Sequence, residues 1–170
     1  MSGTVNCTGA ERVVYFQSRG YKSEERIVFI MNSEYTEKPI LVWVTNPAAC
    51  KRIIAAGRKI ADEHRSELYI VSIQNKILDD WEKRAKDLEL LHRAAREANA
   101  DLTVVYSENA FQSATEVVSN IDPQVMIAGL PGTEGRSAFL EHLFGMREDI
   151  QTYVIDGMGN LVRADILRRL

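Results

Sequence analysis

The chain has 170 residues, 45% of them hydrophobic and 26% charged, a size and balance that suit one globular domain needing no metal or disulfide staple. Its formal net charge of −3 excludes the overall basic character that draws a protein to nucleic acid or to an anionic membrane surface. Its two cysteines, Cys7 and Cys50, form no C-x-x-C pair. No apolar run approaches the ~20 residues of a membrane span, and the first residues lack the build of a signal peptide, so a cytoplasmic chain is expected.

Residues 1–39 differ in character from the rest of the chain. "RVVYF" (Arg12–Phe16) and "RIVFIM" (Arg26–Met31) are β-branched and aromatic and read as two short strands. The polar stretch between them holds a glycine, which predicts an N-terminal β-hairpin that adds to a sheet edge or to a second copy. From Pro39 onward strands and helices alternate. "ILVWVT" (Ile40–Thr45) is a continuous apolar run, as a strand buried on both faces should be. Asn46 and Pro47 are a cap and a first helical residue, and Cys50, Ile53, Ile54, Gly57, Ile60 and Ala61 make one helical stripe. "LYIVSI" (Leu68–Ile73) is a strand. Asp79 or Asp80 caps a long helix with Trp81, Ala85, Leu88, Leu91, Ala95 and Ala98 inward. "LTVVYS" (Leu102–Ser107) is a strand, Phe111, Ala114, Val118 and Ile121 mark a helix, and "QVMIAGL" (Gln124–Leu130) is the next strand. A helix with Phe139, Leu140, Leu143 and Phe144 precedes a last strand, "TYVID" (Thr152–Asp156). "DGMGN" (Asp156–Asn160) has the chemistry of a hairpin turn, and residues 157–170 read as a turn and tail.

This alternation predicts an α/β fold: a three-layer sandwich around a five-stranded parallel sheet, over residues 40–156. In such sheets ligands bind at the carboxyl ends of the strands, where the strand order reverses. That selects Thr45, Asn46 and Gln74, and the segment "GLPGTEGRS" with Gly129, Gly132, Thr133, Gly135, Arg136 and Ser137. Its glycines permit close backbone approach, its hydroxyls and arginine suit an anion, and the next helix aims its free N–H groups at it. The segment matches neither G-x-G-x-x-G nor G-x-x-x-x-G-K-[ST], so a turn with a serine cap is equally compatible. Thr45 stands where a receiver domain needs an acidic residue. His64, His92 and His142 lie in three helices without metal spacing and read as solvated helix-face residues. No G-x-S-x-G elbow occurs, and Cys50 reads as a buried small hydrophobe. No residue set forms a catalytic group.

Two segments carry a resemblance. "ILVWVTNPAACKRIIAAGRKIADEH" resembles the first strand and helix of universal stress proteins, and "DLTVVYSENAFQSATEVVSNIDPQVMIAGLP" resembles their third strand, third helix and fourth strand. The match is nearest to the stress-protein domain of osmosensitive potassium-sensor histidine kinases. This resemblance implies a Rossmann-like sheet of order 3-2-1-4-5 and homodimers paired through the fifth strand. It also implies an adenine-nucleotide site, for ATP, AMP or a relative, with phosphates near Gly132–Ser137 and the base near Thr45 and Gln74. ATP-binding members carry an aspartate where Thr45 stands, and a G-x2-G-x9-G-[ST] motif. Gly129 and Gly132 match its first half, but the count then falls on His142. The expected function is a non-enzymatic stress or signalling module with a degenerate nucleotide pocket and a signalling protein partner. The alternatives are an interaction dimer that binds no nucleotide, and a nucleotide-hydrolysing or adenylyl-transfer enzyme.

Overall fold

The computed structural model describes residues 14–17, 37–44, 47–75, 80–130 and 137–167. Among the described residues seven strands and five α-helices follow one another: β1 (Val14–Gln17), β2 (Ile40–Trp43), a 3-10 turn (Pro47–Ala49), α1 (Cys50–His64), β3 (Leu68–Gln74), α2 (Trp81–Glu97), β4 (Asp101–Tyr106), α3 (Ala110–Ile121), β5 (Val125–Gly129), α4 (Ala138–Gly145), β6 (Gln151–Ile155), β7 (Leu161–Arg163) and α5 (Ala164–Leu167).

The sheet order is β1-β4-β3-β2-β5-β6-β7. The expected 3-2-1-4-5 order is present as β4-β3-β2-β5-β6, all parallel. The expected five-stranded sheet gains a strand at each edge. β1 overlaps the strand expected at Arg12–Phe16 and, as expected of that segment, adds to a sheet edge, parallel to β4 with Val14 opposite Thr103. β7 adds an antiparallel strand beside β6, with Val154 opposite Val162. The C-terminal turn and tail is therefore a hairpin followed by a short helix. Of the N-terminal hairpin, only Val14–Gln17 is described; the second expected strand, residues 26–31, lies outside the described residues.

The apolar run of β2 explains the layers. Ile40, Val42 and Val44 join α1, α2 and one face of the sheet in one core cluster. Leu41 and Trp43 join α3 and α4 in the other. Successive side chains of a strand point to opposite faces, so a strand covered on both sides must be apolar at every position. Gly57 lets α1 lie directly on β2: a Cβ there would come within 2.3 Å of Val42 Cγ2.

Local chemistry sets the helix starts. Asp80 caps α2, accepting from Lys83 N–H at 3.0 Å, and Asn109 caps α3, accepting from Gln112 N–H at 3.1 Å. Pro47 opens the 3-10 turn rather than α1, whose first residue is Cys50. At the amino ends of the strands, Asp122 holds both Lys38 and Arg147, and Arg147 also grips Asp149.

Candidate functional site

Helices α1 and α2 cover one face of the sheet, α3 and α4 the other. The change of side occurs between β2 and β5, which neighbour each other at the centre. Crossovers that leave adjacent strands in opposite directions open a crevice at their carboxyl ends. Of the sequence-derived site residues, Gln74, Gly129 and Ser137 fall within the described structure, all at this end. Thr45, Asn46, Gly132, Thr133, Gly135 and Arg136 lie outside the described residues.

Gly129 is the last residue of β5 and pairs with Ile155. A Cβ on it would come within 2.6 Å of Ile53 Cδ1 on α1. The glycine therefore has a packing reason of its own, close approach of a helix to a strand end, whether or not a ligand uses the space.

Ser137 is the N-cap of α4, with extended backbone (φ −113, ψ 145). Its Oγ accepts from Leu140 N–H at 3.1 Å, which satisfies one of the free donors of the first turn. The remaining N–H groups and the helix dipole favour an anion there, opposed by Glu141 in the same turn. Ser137 thus closes the segment only eight residues after Gly129. The motif count, in contrast, lands inside α4 on His142, which is no solvated face residue: its Nε2 meets Phe111 O at 3.0 Å and Thr115 Oγ1 at 3.1 Å. Thr115 donates its own proton to Phe111 O, so Nε2 carries a proton and donates to both. His142 ties α4 to α3. In sequence a glycine and a serine, Gly135 and Ser137, do stand before the helix, but Arg136 separates them and the segment is shorter than the motif.

Gln74 ends β3 beside the end of β2, where Val44 N–H still bonds Val71 O at 2.9 Å. The buried Ser72 hydroxyl donates to Val44 O at 2.9 Å. A hydroxyl has one proton, so Ser72 Oγ can only accept from Gln74, whose Nε2 lies 2.7 Å away. This relay fixes the amide: nitrogen toward Ser72, Oε1 turned away and unpartnered among the described residues.

The rim beyond Gln74 departs from the sequence expectation. Trp81 was expected inward, yet it is 72% exposed, and Ala85 is exposed too. Arg84, one turn further along α2, reaches Asn75 O with Nη2 at 2.9 Å and lies over the Tyr106 ring, 5.7 Å from its centroid. Phe111, also expected inward, is 42% exposed, in edge contact with His142. Trp43, which no motif singles out, is buried at 1% exposure, with its Nε1 without a hydrogen-bond partner, and packs edge-on against Phe139 of α4.

Other described polar groups near this end serve structure. Arg52 Nη1 donates to Gly157 O at 2.7 Å, joining α1 to the β6–β7 turn. Asp156 closes that turn, accepting from Met158 N–H and Asn160 N–H at 2.9 and 2.8 Å and from Asn160 Nδ2 at 3.0 Å. The Asn160 bonds hold its carboxyl below the usual range. Burial pushes the Cys50 thiol up, the opposite of nucleophile activation. Among the described residues no cluster of His, Cys, Asp or Glu could hold a metal, and no helix is long and apolar enough to cross a membrane.

By sequence the chain matches no protein-family model and none of the curated proteins. Solved structures do match. A universal stress protein from Archaeoglobus fulgidus in complex with dAMP superposes with a TM-score of 0.51 at 14% identity, over 71% of this chain and 97% of that one. A structure of the universal stress protein from the same organism gives 0.54 at 15% identity, over 71% and 93%. A Pseudomonas aeruginosa protein described as a universal stress protein gives 0.56 at 14% identity, over 92% of this chain and 65% of that one. The fold is that of the universal stress proteins. At these identities the likeness concerns architecture, and a universal-stress-protein fold has its strand-order reversal at the β2–β5 crevice.

Proposed function

We propose that the chain is a universal-stress-protein-like module of stress response or signalling. In this reading it binds an adenine nucleotide, ATP, AMP or a relative, at the carboxyl edge and does not transform it. The observation that carries the reading is the β5–α4 unit: a central strand ending in glycine and a serine-capped helix, joined by a glycine-rich segment at the switch point. The base lies toward Gln74 and Thr45, and the phosphates toward Gly132, Thr133, Gly135, Arg136 and Ser137. The dAMP held by a fold neighbour supports the ligand class. The grip is weak, because Glu141 opposes the anion and the Ser137 hydroxyl is engaged in its cap. Non-enzymatic status rests on the groups nearby: the Asp156 carboxylate closes a turn and the Cys50 thiol is raised. The tie to potassium-sensor histidine kinases rests on the two sequence segments alone, and with it go the cytoplasmic setting and a signalling protein partner.

A second reading, an interaction dimer that holds no nucleotide, is favoured by one observation: Gly129 is accounted for by the packing of Ile53. Pairing of two copies at the fifth parallel strand of the family order, here β6, meets β7 first. A second copy at that side would therefore face β7.

Thermal shift with millimolar ATP and AMP separates the readings, since a ligand that binds the native state raises its melting temperature. A rise is expected, reduced in Arg136→Ala, with ATP recovered intact. Unchanged melting with every nucleotide favours the dimer, and ADP or AMP formed from ATP and lost in Arg136→Ala restores the enzyme.

A further inference from the structure

Trp81 occupies a position that should be core. The inward stripe of α2 runs upward through Ala95, Leu91, Leu88 and Arg84, the first two buried and the next two half-buried. Residues three or four apart share a helix face, so Trp81 crowns this stripe. Strands β3 and β4 end at Gln74 and Tyr106. The Arg84 side chain already lies at these ends, bonded to Asn75 O and set over the Tyr106 ring. Trp81, the first residue of α2, stands one turn before Arg84 at the same end of the sheet and is 72% exposed.

The relay Gln74–Ser72–Val44 gives that edge a chemical sense. With its amide nitrogen held by Ser72, Gln74 offers only an acceptor. An acceptor at the end of β3 and an exposed indole at the start of α2, both at the carboxyl end of the sheet, suit a flat ring that carries an exocyclic amine, and the acceptor repels a ring with a carbonyl at the same place.

Resting on the nucleotide reading, we propose that Trp81 and Gln74 form the base platform of the site: Trp81 stacks on the ring and Gln74 Oε1 accepts from its 6-amino group. The platform selects 6-aminopurine over 6-oxopurine nucleotides. It requires no change in the core, because the stacking face of Trp81 is open to solvent in the free protein.

The chain has two tryptophans, one buried and one exposed, so fluorescence and calorimetry together test the proposal with AMP and IMP as probes. In the wild type, AMP is expected to quench the exposed emission on saturation and to bind about tenfold tighter than IMP, a difference of about 1.4 kcal/mol. Trp81→Ala should weaken AMP about tenfold, as loss of one base–aromatic stack does, and Trp81→Phe should keep most of the affinity. Gln74→Ala should bring AMP and IMP together. Trp81 is mostly exposed, so Trp81→Ala is expected to fold. If the wild type binds AMP but Trp81→Ala binds it equally and the emission does not change, the platform is wrong and the nucleotide reading stands. If Trp81→Ala alters only the sedimentation of the protein, the indole belongs to a protein contact and the platform is wrong. If the wild type takes up neither nucleotide at millimolar concentration, both fall.

Discussion

Gly57 and Gly129 both sit where a helix and a strand approach closely, Gly57 against the β-branched Val42 and Gly129 against the tip of Ile53, which has more room to shift. At Gly57 the conflict is internal to the protein. Alanine would add about 1 kcal/mol of helix propensity, but its methyl would come within 2.3 Å of Val42 Cγ2 and 3.2 Å of Leu68 Cδ1. Overpacking of that kind costs about 1–3 kcal/mol. Gly57→Ala should therefore lower stability by up to about 2 kcal/mol net, measured by urea unfolding; a stabilised variant would show that α1 moves off β2 freely.

The charged residues at the opposite end of the sheet give a signed pH dependence. Hydrogen bonds from Lys38 and then Arg147 hold Asp122 below its ordinary value of 3.8, and Arg147 does the same for Asp149. Carboxyls whose folded values are depressed bind fewer protons than in the unfolded chain. Their stabilisation is present above the ordinary value and is lost as pH falls through the folded one. The effect is small, because the Asp122 side chain is 46% exposed and solvent-exposed pairs are weak. Melting temperatures of the wild type and Asp122→Asn should converge as pH drops from about 5 to about 2. A difference that persists at the acid end would assign the effect to something other than ionisation.

Among the elements, β7 does the most to change what the chain can associate with. A bare β6 would present a row of unpaired backbone groups, a template for another strand. The hairpin closed by Asp156 places Leu161–Arg163 on that edge, and β7 is short and ends in Arg163, which pairs with Asp165. Ending the chain after Asn160 removes β7 and α5 and uncovers β6. Sedimentation should then show stronger self-association than in the full chain, and equal masses at equal concentration would mean that this edge is not an association surface. Strand β1 has a matching place at the other end of the sheet, parallel to β4.

Strand β7 marks where the sequence is hard to read, whereas β1 overlaps the strand expected at Arg12–Phe16. The central five strands are legible because each is an apolar run bounded by a cap or a turn, and β2 states its double burial residue by residue. Three-residue β7, exposed at Leu161 and Arg163, has no periodicity to detect. The rule that ligands sit at carboxyl strand ends selects Gln74, Gly129 and Ser137, and all three stand at that end of the sheet. The exposure of Trp81 is not legible, because helical spacing says which face a residue is on and not what covers it. His142 reads as a solvated residue in the sequence because its partners, Phe111 O and Thr115, come from another helix.

At the scale of the whole molecule, a double-wound sheet meets its ligand at one place, the crevice where α1 and α4 leave β2 and β5 on opposite sides. Among the described residues near that end, Arg52 serves the hairpin, Asp156 its own turn and His142 the tie to α3. The proposed function is therefore one of nucleotide occupancy rather than turnover. Calorimetric titration of the full chain with AMP tests this most directly. Saturable one-to-one binding, weakened in Arg136→Ala, is the predicted result, and an absence of binding heat at millimolar AMP over a range of temperatures would contradict it.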